Sequence, residues 1–157
     1  MRILFLGDIV GPSGCNVVKR FLPEIIKKRD LDFVVANGEN AADSGLGITE
    51  KISKELFSCG IDVLTTGNHV WDQKETAEHI EREKKLLRPY NLTSPSPGKG
   101  FEIFSSKNNF KIGVLNLMGN VFMKKCDDVF IKIEKFLNDY DLKKNYDFLV
   151  VDFHGEI

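Results

Sequence analysis

Apolar residues in this chain come as short continuous runs, separated by segments in which they recur every three or four positions. The opening run, Arg2 to Leu6, is stopped by Gly7. It reads as a strand buried on both faces, the kind found in parallel sheets. Gly11-Pro12-Ser13-Gly14 reads as a turn. Val17, Val18, Phe21, Leu22, Ile25 and Ile26 then follow helical spacing. Pro23 lies inside that pattern and is expected to kink or split the helix, because it removes a backbone donor. Phe33 to Ala36 predicts a second buried strand. Thr49 is placed to cap a helix carrying Ile52, Leu56 and Phe57, closed by Gly60. Ile61 to Leu64 predicts a third strand. Asp72 with Glu75 has the spacing of a capping box, opening a short polar helix. Pro89 to Gly100 reads as loop. Phe101–Phe104 and Lys111–Leu117 predict two strands joined by a turn at Lys107-Asn108-Asn109. Asp127 or Asp128 caps a helix with Val129, Ile133, Phe136, Leu137 and Tyr140 on one side. Phe148 to Val151 is the last predicted strand. Strands alternating with helices imply an α/β fold.

At 157 residues the chain suits one core rather than two domains, so residues 1–157 are read as a single domain. A net charge of -1 gives no sign of a nucleic-acid backbone binder, which needs a basic excess. No stretch is long or apolar enough to span a bilayer. The three cysteines, Cys15, Cys59 and Cys126, show no C-x-x-C spacing. They read as reduced thiols of a cytoplasmic protein.

The strand ends carry the chemistry. Asp8, Glu39-Asn40, Asn68-His69 and His154 each follow an apolar run. In a parallel sheet such ends share one edge, outside which ligands bind. Carboxylates, amide oxygens and imidazoles suit manganese, iron or zinc better than copper. Each residue also has a plainer reading. Asp8 can cap a helix, Asn37-Gly38 and Gly67-Asn68 can form turns, and His69 and His154 can be bystanders. A dinucleotide site is disfavoured, because Gly7-Asp8-Ile9-Val10-Gly11 is not G-x-G-x-x-G and sets an acid where pyrophosphate approaches. No G-x-S-x-G elbow or P-loop occurs.

Six motifs stand in order along the chain: GDIVG (Gly7–Gly11), NGEN (Asn37–Asn40), GNHVWD (Gly67–Asp72), LLRPYN (Leu86–Asn91), NLMGNVFM (Asn116–Met123) and DFHGE (Asp152–Glu156). Together they resemble the YmdB-like branch of the metallophosphoesterases. The resemblance implies an αββα sandwich and a centre of two divalent metal ions, iron or manganese, with zinc as an alternative. It implies hydrolysis of phosphodiesters, notably 2′,3′-cyclic nucleotides, by water that the two metals activate. Carried over by motif, Asp8 binds one metal, Glu39 bridges both, and Asn68 and His154 bind the other. Asn40 lines the substrate site and His69 is the general acid. The family pattern has arginine where Cys15 and Asn120 stand. It also continues past DFH into strands with a G-x-H-x-H segment, so the sandwich is expected to be incomplete here. His79 is expected to be solvated rather than a replacement ligand. The last strand is expected to expose an apolar edge, favouring self-association. The alternative to an enzyme is a catalytically impaired domain that binds nucleotides or a partner.

Overall fold

The computed structural model describes residues 1–155; Glu156, the last residue of the DFHGE motif, lies outside the described residues. The elements are β1 (Ile3–Leu6), α1 (Gly11–Arg29), β2 (Phe33–Asn37), α2 (Glu50–Ser58), β3 (Val63–Thr65), α3 (Thr76–Arg82), β4 (Phe101–Ser105), β5 (Lys111–Met118), α4 (Val129–Asp139) and β6 (Phe148–His154). They make two three-stranded sheets. The first, β1-β2-β3, is parallel. The second, β4-β5-β6, is mixed, with β4 antiparallel and β6 parallel to β5.

Side-chain parity builds four layers from these strands, because successive residues of a strand face opposite ways. On β2, Val34 and Ala36 face the helices and join Cys15 and Leu22 of α1 and Leu56 of α2. Phe33 and Val35 face the other way and meet Val63, Ile112, Val114 and Val150 in the seam between the sheets. On β5, Leu115 and Leu117 face outward to Phe136 of α4. The result is helix, sheet, sheet, helix, as the resemblance implies. No helix among the described residues is long and apolar enough to cross a membrane.

Several local expectations change. The four site-bearing strands do not share one parallel sheet; β1, β2 and β3 form one and β6 belongs to the other. β1 is not buried on both faces: it is an edge strand, and Phe5 is exposed. Gly11–Gly14 is not a free turn but the first turn of α1. Gly11 turns the chain into the helix at φ +56°, where glycine has no steric cost. α1 runs unbroken past Pro23, which lies on its exposed side, where the orphaned carbonyl of Lys19 can face water. Asp72 and Glu75 form no capping box: α3 starts at Thr76 without a side-chain cap. Glu75 instead accepts the N–H of Glu50 at 2.8 Å. Thr49 caps α2 and Asp128 caps α4, as expected. On α4, Leu137 is exposed while Phe136 and Tyr140 pack inward.

Candidate active site

The polar residues gather at one end of the seam, and parity explains why. Asn37 continues the Phe33–Val35 face of β2, Thr65 the Val63 face of β3, and Asp152 and His154 the Val150 face of β6. All therefore point between the sheets, where the apolar filling stops. The loops just beyond β2 and β3 then add Glu39 and Asn68.

His154 is the meeting point. Its Nε2 lies 2.9 Å from Oε1 of Glu39 and 2.9 Å from Oδ1 of Asn68. Glu39 is 1% exposed, so its carboxylate is held almost wholly away from water. The hydrogen bond to Glu39 raises the His154 imidazole above its ordinary pKa, outweighing burial, which lowers it. Asp8 joins through Asn40, whose Nδ2 lies 2.8 Å from Asp8 Oδ2 and 3.4 Å from Glu39 Oε1. Asn40 Oδ1 is buried without a hydrogen-bond partner. Gly67 is required here by space: a Cβ at this position would collide with Glu39 Oε2 and with the His154 ring.

His69 stands beside this group. Its backbone N–H points to Glu39 Oε2 at 3.4 Å, and its Nδ1 lies 2.5 Å from Asp72 Oδ2. Asp72 also accepts from Lys124 Nζ at 2.8 Å. Burial alone raises the Asp72 carboxyl, but the hydrogen bonds from Lys124 and His69 outweigh it and hold it below the ordinary carboxylate value. The three-residue spacing from His69 to Asp72 in GNHVWD is the available sequence signal for this pair, and reading Asp72 as a helix cap misses it. Lys124 carries no comparable signal, because it arrives from a distant loop.

The fold thus joins Glu39, Asn68 and His154 directly and Asp8 by way of Asn40, with His69 alongside. Among the described residues no three His, Cys, Asp or Glu side chains gather closely enough to cage a metal by themselves. The set nevertheless fits a divalent cation once amides are counted. Two carboxylates, one imidazole and the Asn68 amide oxygen come together, with the Asn40 amide between the carboxylates and its Oδ1 buried and unpaired. His79 is not part of it. It is also not solvated: it is 3% exposed, 2.7 Å from Ser53 Oγ between α2 and α3, and burial lowers its pKa. Cys15 is buried with its Sγ 3.4 Å from the Ala41 carbonyl. Asn120 contacts Cys126. A cavity of about 660 Å³ between α1 and the start of α2 is lined by none of the site's residues.

Comparison with known proteins agrees with this fold. A 2′,3′-cyclic-nucleotide 2′-phosphodiesterase of Bacillus subtilis (strain 168) is 40% identical over 156 residues, 99% of this chain and 58% of that protein. The crystal structure of a hypothetical protein from Thermus thermophilus superposes with a TM-score of 0.89 at 33% identity, covering 100% of this chain and 59% of that one. A novel phosphatase from Mycoplasma pneumoniae gives a TM-score of 0.87 at 31% identity, covering 99% and 55%. The chain therefore spans somewhat over half the length of these relatives. The family model described as YmdB-like protein matches residues 4–157. A match across nearly the whole sequence, with the fold and the ordered motifs, establishes that the chain belongs to the YmdB-like protein family.

Proposed function

We propose that this chain carries the centre of a metal-dependent phosphoesterase acting on phosphodiesters, of which 2′,3′-cyclic nucleotides are the leading candidates. The observation that carries the reading is the contact of His154 Nε2 with both Glu39 Oε1 and Asn68 Oδ1, three side chains brought together from two different sheets. The name of the Bacillus subtilis relative supports the substrate class, and that of the Mycoplasma pneumoniae phosphatase supports phosphoester chemistry more broadly.

In this proposal Asp8, Glu39, Asn68 and His154 would hold two divalent ions, iron or manganese, with Asn40 lining the site. Such ions supply positive charge to phosphate oxygens and make nearby water more acidic. The chain's own residues supply the rest. Burial of Glu39 keeps the local dielectric low, so charges there act at greater strength than in water. Asp72 holds His69 by Nδ1, which leaves Nε2 to deliver a proton to a departing alkoxide. Gly67 leaves the space in which Glu39 and His154 approach each other.

Titration with Mn²⁺ or Fe²⁺, followed by a 2′,3′-cyclic nucleotide hydrolysis assay, tests this. Saturable binding with hydrolysis supports it; metal binding with no turnover on any phosphodiester removes the catalytic half. A second reading is binding without turnover, either of a nucleotide or of a partner polypeptide. Cyclic nucleotide bound but recovered intact distinguishes it.

A further inference from the structure

Beneath the candidate site lies a second polar group that the proposed reaction does not use. Asp152 is 8% exposed at the end of an otherwise apolar seam. Its Oδ2 accepts from Asn37 Nδ2 at 2.9 Å and from Thr65 Oγ1 at 2.5 Å. These partners are an amide and a hydroxyl; no Lys, Arg or His hydrogen bond to Asp152 occurs among the described residues. A buried carboxylate held by neutral donors adds little to fold stability, because desolvation offsets its hydrogen bonds. Its placement suggests another purpose. Asn37 lies two residues before Glu39, and its Oδ1 accepts the Glu39 N–H at 3.1 Å. Thr65 lies two residues before Gly67 and three before Asn68. Asp152 lies two residues before His154 on the same face of β6. One oxygen thus ties together the three strands that deliver Glu39, Asn68 and His154.

We propose that Asp152, with Asn37 and Thr65, forms a positioning clasp that fixes the spacing of the two sheets where Glu39, Asn68 and His154 meet. The proposal rests on the reading of those residues as a metal-binding group, and it extends that reading to residues that touch no ligand. The clasp acts by geometry. β6 belongs to a different sheet from β2 and β3, so no backbone hydrogen bond sets His154 against Glu39. Besides the clasp, the polar links across the seam here include Asn116 of β5, whose Nδ2 donates to the Thr66 carbonyl at 2.8 Å, and the contacts of His154 itself; of these only the clasp joins β6 to both β2 and β3 next to the residues they deliver. Groups that orient metal ligands typically carry about a 10- to 100-fold effect on metal affinity.

The test compares the wild-type chain, D152A, and the exchanged pair N37D/D152N. The exchange reverses donor and acceptor. The amide now at position 152 donates to the carboxylate now at position 37 and to Thr65 Oγ1. Thr65 turns its hydroxyl toward the Ala36 carbonyl, 3.4 Å away, and the new carboxylate still accepts the Glu39 N–H. Two readouts are taken: Mn²⁺ affinity by calorimetry, and the hydrogen-bonded Nε2–H proton resonance of His154 in the metal-free protein. The expected result is loss of that resonance and a fall of about tenfold or more in Mn²⁺ affinity in D152A, with both recovered in N37D/D152N. Recovery in the exchanged pair also guards against D152A simply failing to fold. Retention of the resonance and of affinity within about twofold in D152A overturns the clasp, as does an exchanged pair that folds cooperatively but recovers neither. If the wild-type chain binds no Mn²⁺, the metal reading fails, and the resonance alone decides the clasp.

Discussion

β2 and β6 each deliver a polar pair to the site, Asn37 with Glu39 and Asp152 with His154, yet they are held very differently. β2 is the central strand of its sheet, paired on both edges, and all five of its residues are buried. β6 has β5 on one edge and, among the described residues, no strand on the other. Its outer face shows Val151 at 42% and Phe153 at 56% exposure. One half of the site is therefore anchored in the core and the other hangs on a margin. Rigid supports hold reacting groups to narrower tolerances than loose ones. Here the looser strand carries the imidazole, so the tie at Asp152 matters most on that side.

The largest expected effect comes from breaking the anchored side. Phe33 is 1% exposed in the seam, packed with Val63, Ile112, Val114 and Phe104, and F33A removes its ring from that cluster. It should cost about 3–5 kcal/mol of unfolding free energy, read by urea denaturation, and loosen both sheets together. G67A acts at the contact between the two halves. The added methyl collides with Glu39 and His154, so the loss should be about 1–3 kcal/mol, with Mn²⁺ affinity falling about tenfold or more. An unchanged affinity in a folded G67A would mean that the two halves do not act together.

A pH test separates the core from the site. Burial lowers the His79 pKa in the folded chain, so the unfolded chain takes up a proton first as pH falls. The His79 contribution to stability then drops as pH decreases below the ordinary histidine value of 6.5, down to the lower folded value, while His154, raised by Glu39, contributes in the opposite sense. H79Q, which can still hydrogen-bond Ser53, should lose less stability on acidification than wild type in melts run from about pH 7.5 to about 5, and that difference is the His79 contribution. The smallest effect belongs to the margin. F153S should change stability by no more than about 0.5 kcal/mol, and any self-association of the wild type seen by light scattering should weaken in it. A large loss of stability in F153S would show that β6 is better covered than its exposure indicates.

The strands were legible because each apolar run is short and ends in glycine or a polar residue. The caps at Thr49 and Asp128 were legible because a short oxygen-bearing side chain preceded a helical pattern. The division into two sheets was not legible from the runs themselves, since strand pairing depends on contacts distant in sequence; it came from the ordered motifs. His79 misled because its helix, Thr76–Arg82, is largely polar in sequence, and only the fold shows Ser53 closing over it. Asp72 misled because the spacing that caps a helix is also the spacing that lets a carboxylate reach an imidazole one turn away. The clasp at Asp152 was hidden in plain parity: positions 37, 65 and 152 continue the faces of Phe33, Val63 and Val150, but nothing in one sequence says that these faces oppose each other.

The contact between Lys124 and Asp72 has a practical consequence. It joins a loop following β5 to the arm that bears His69, through an ammonium group 54% open to water. Mobile ions weaken attraction between exposed charges, over about 8 Å at physiological strength and about 3 Å in molar electrolyte. The concentration of plain sodium chloride in a buffer is therefore a dial on how tightly that arm is gripped, and a measurement on His69 at a single ionic strength reports only one setting of it.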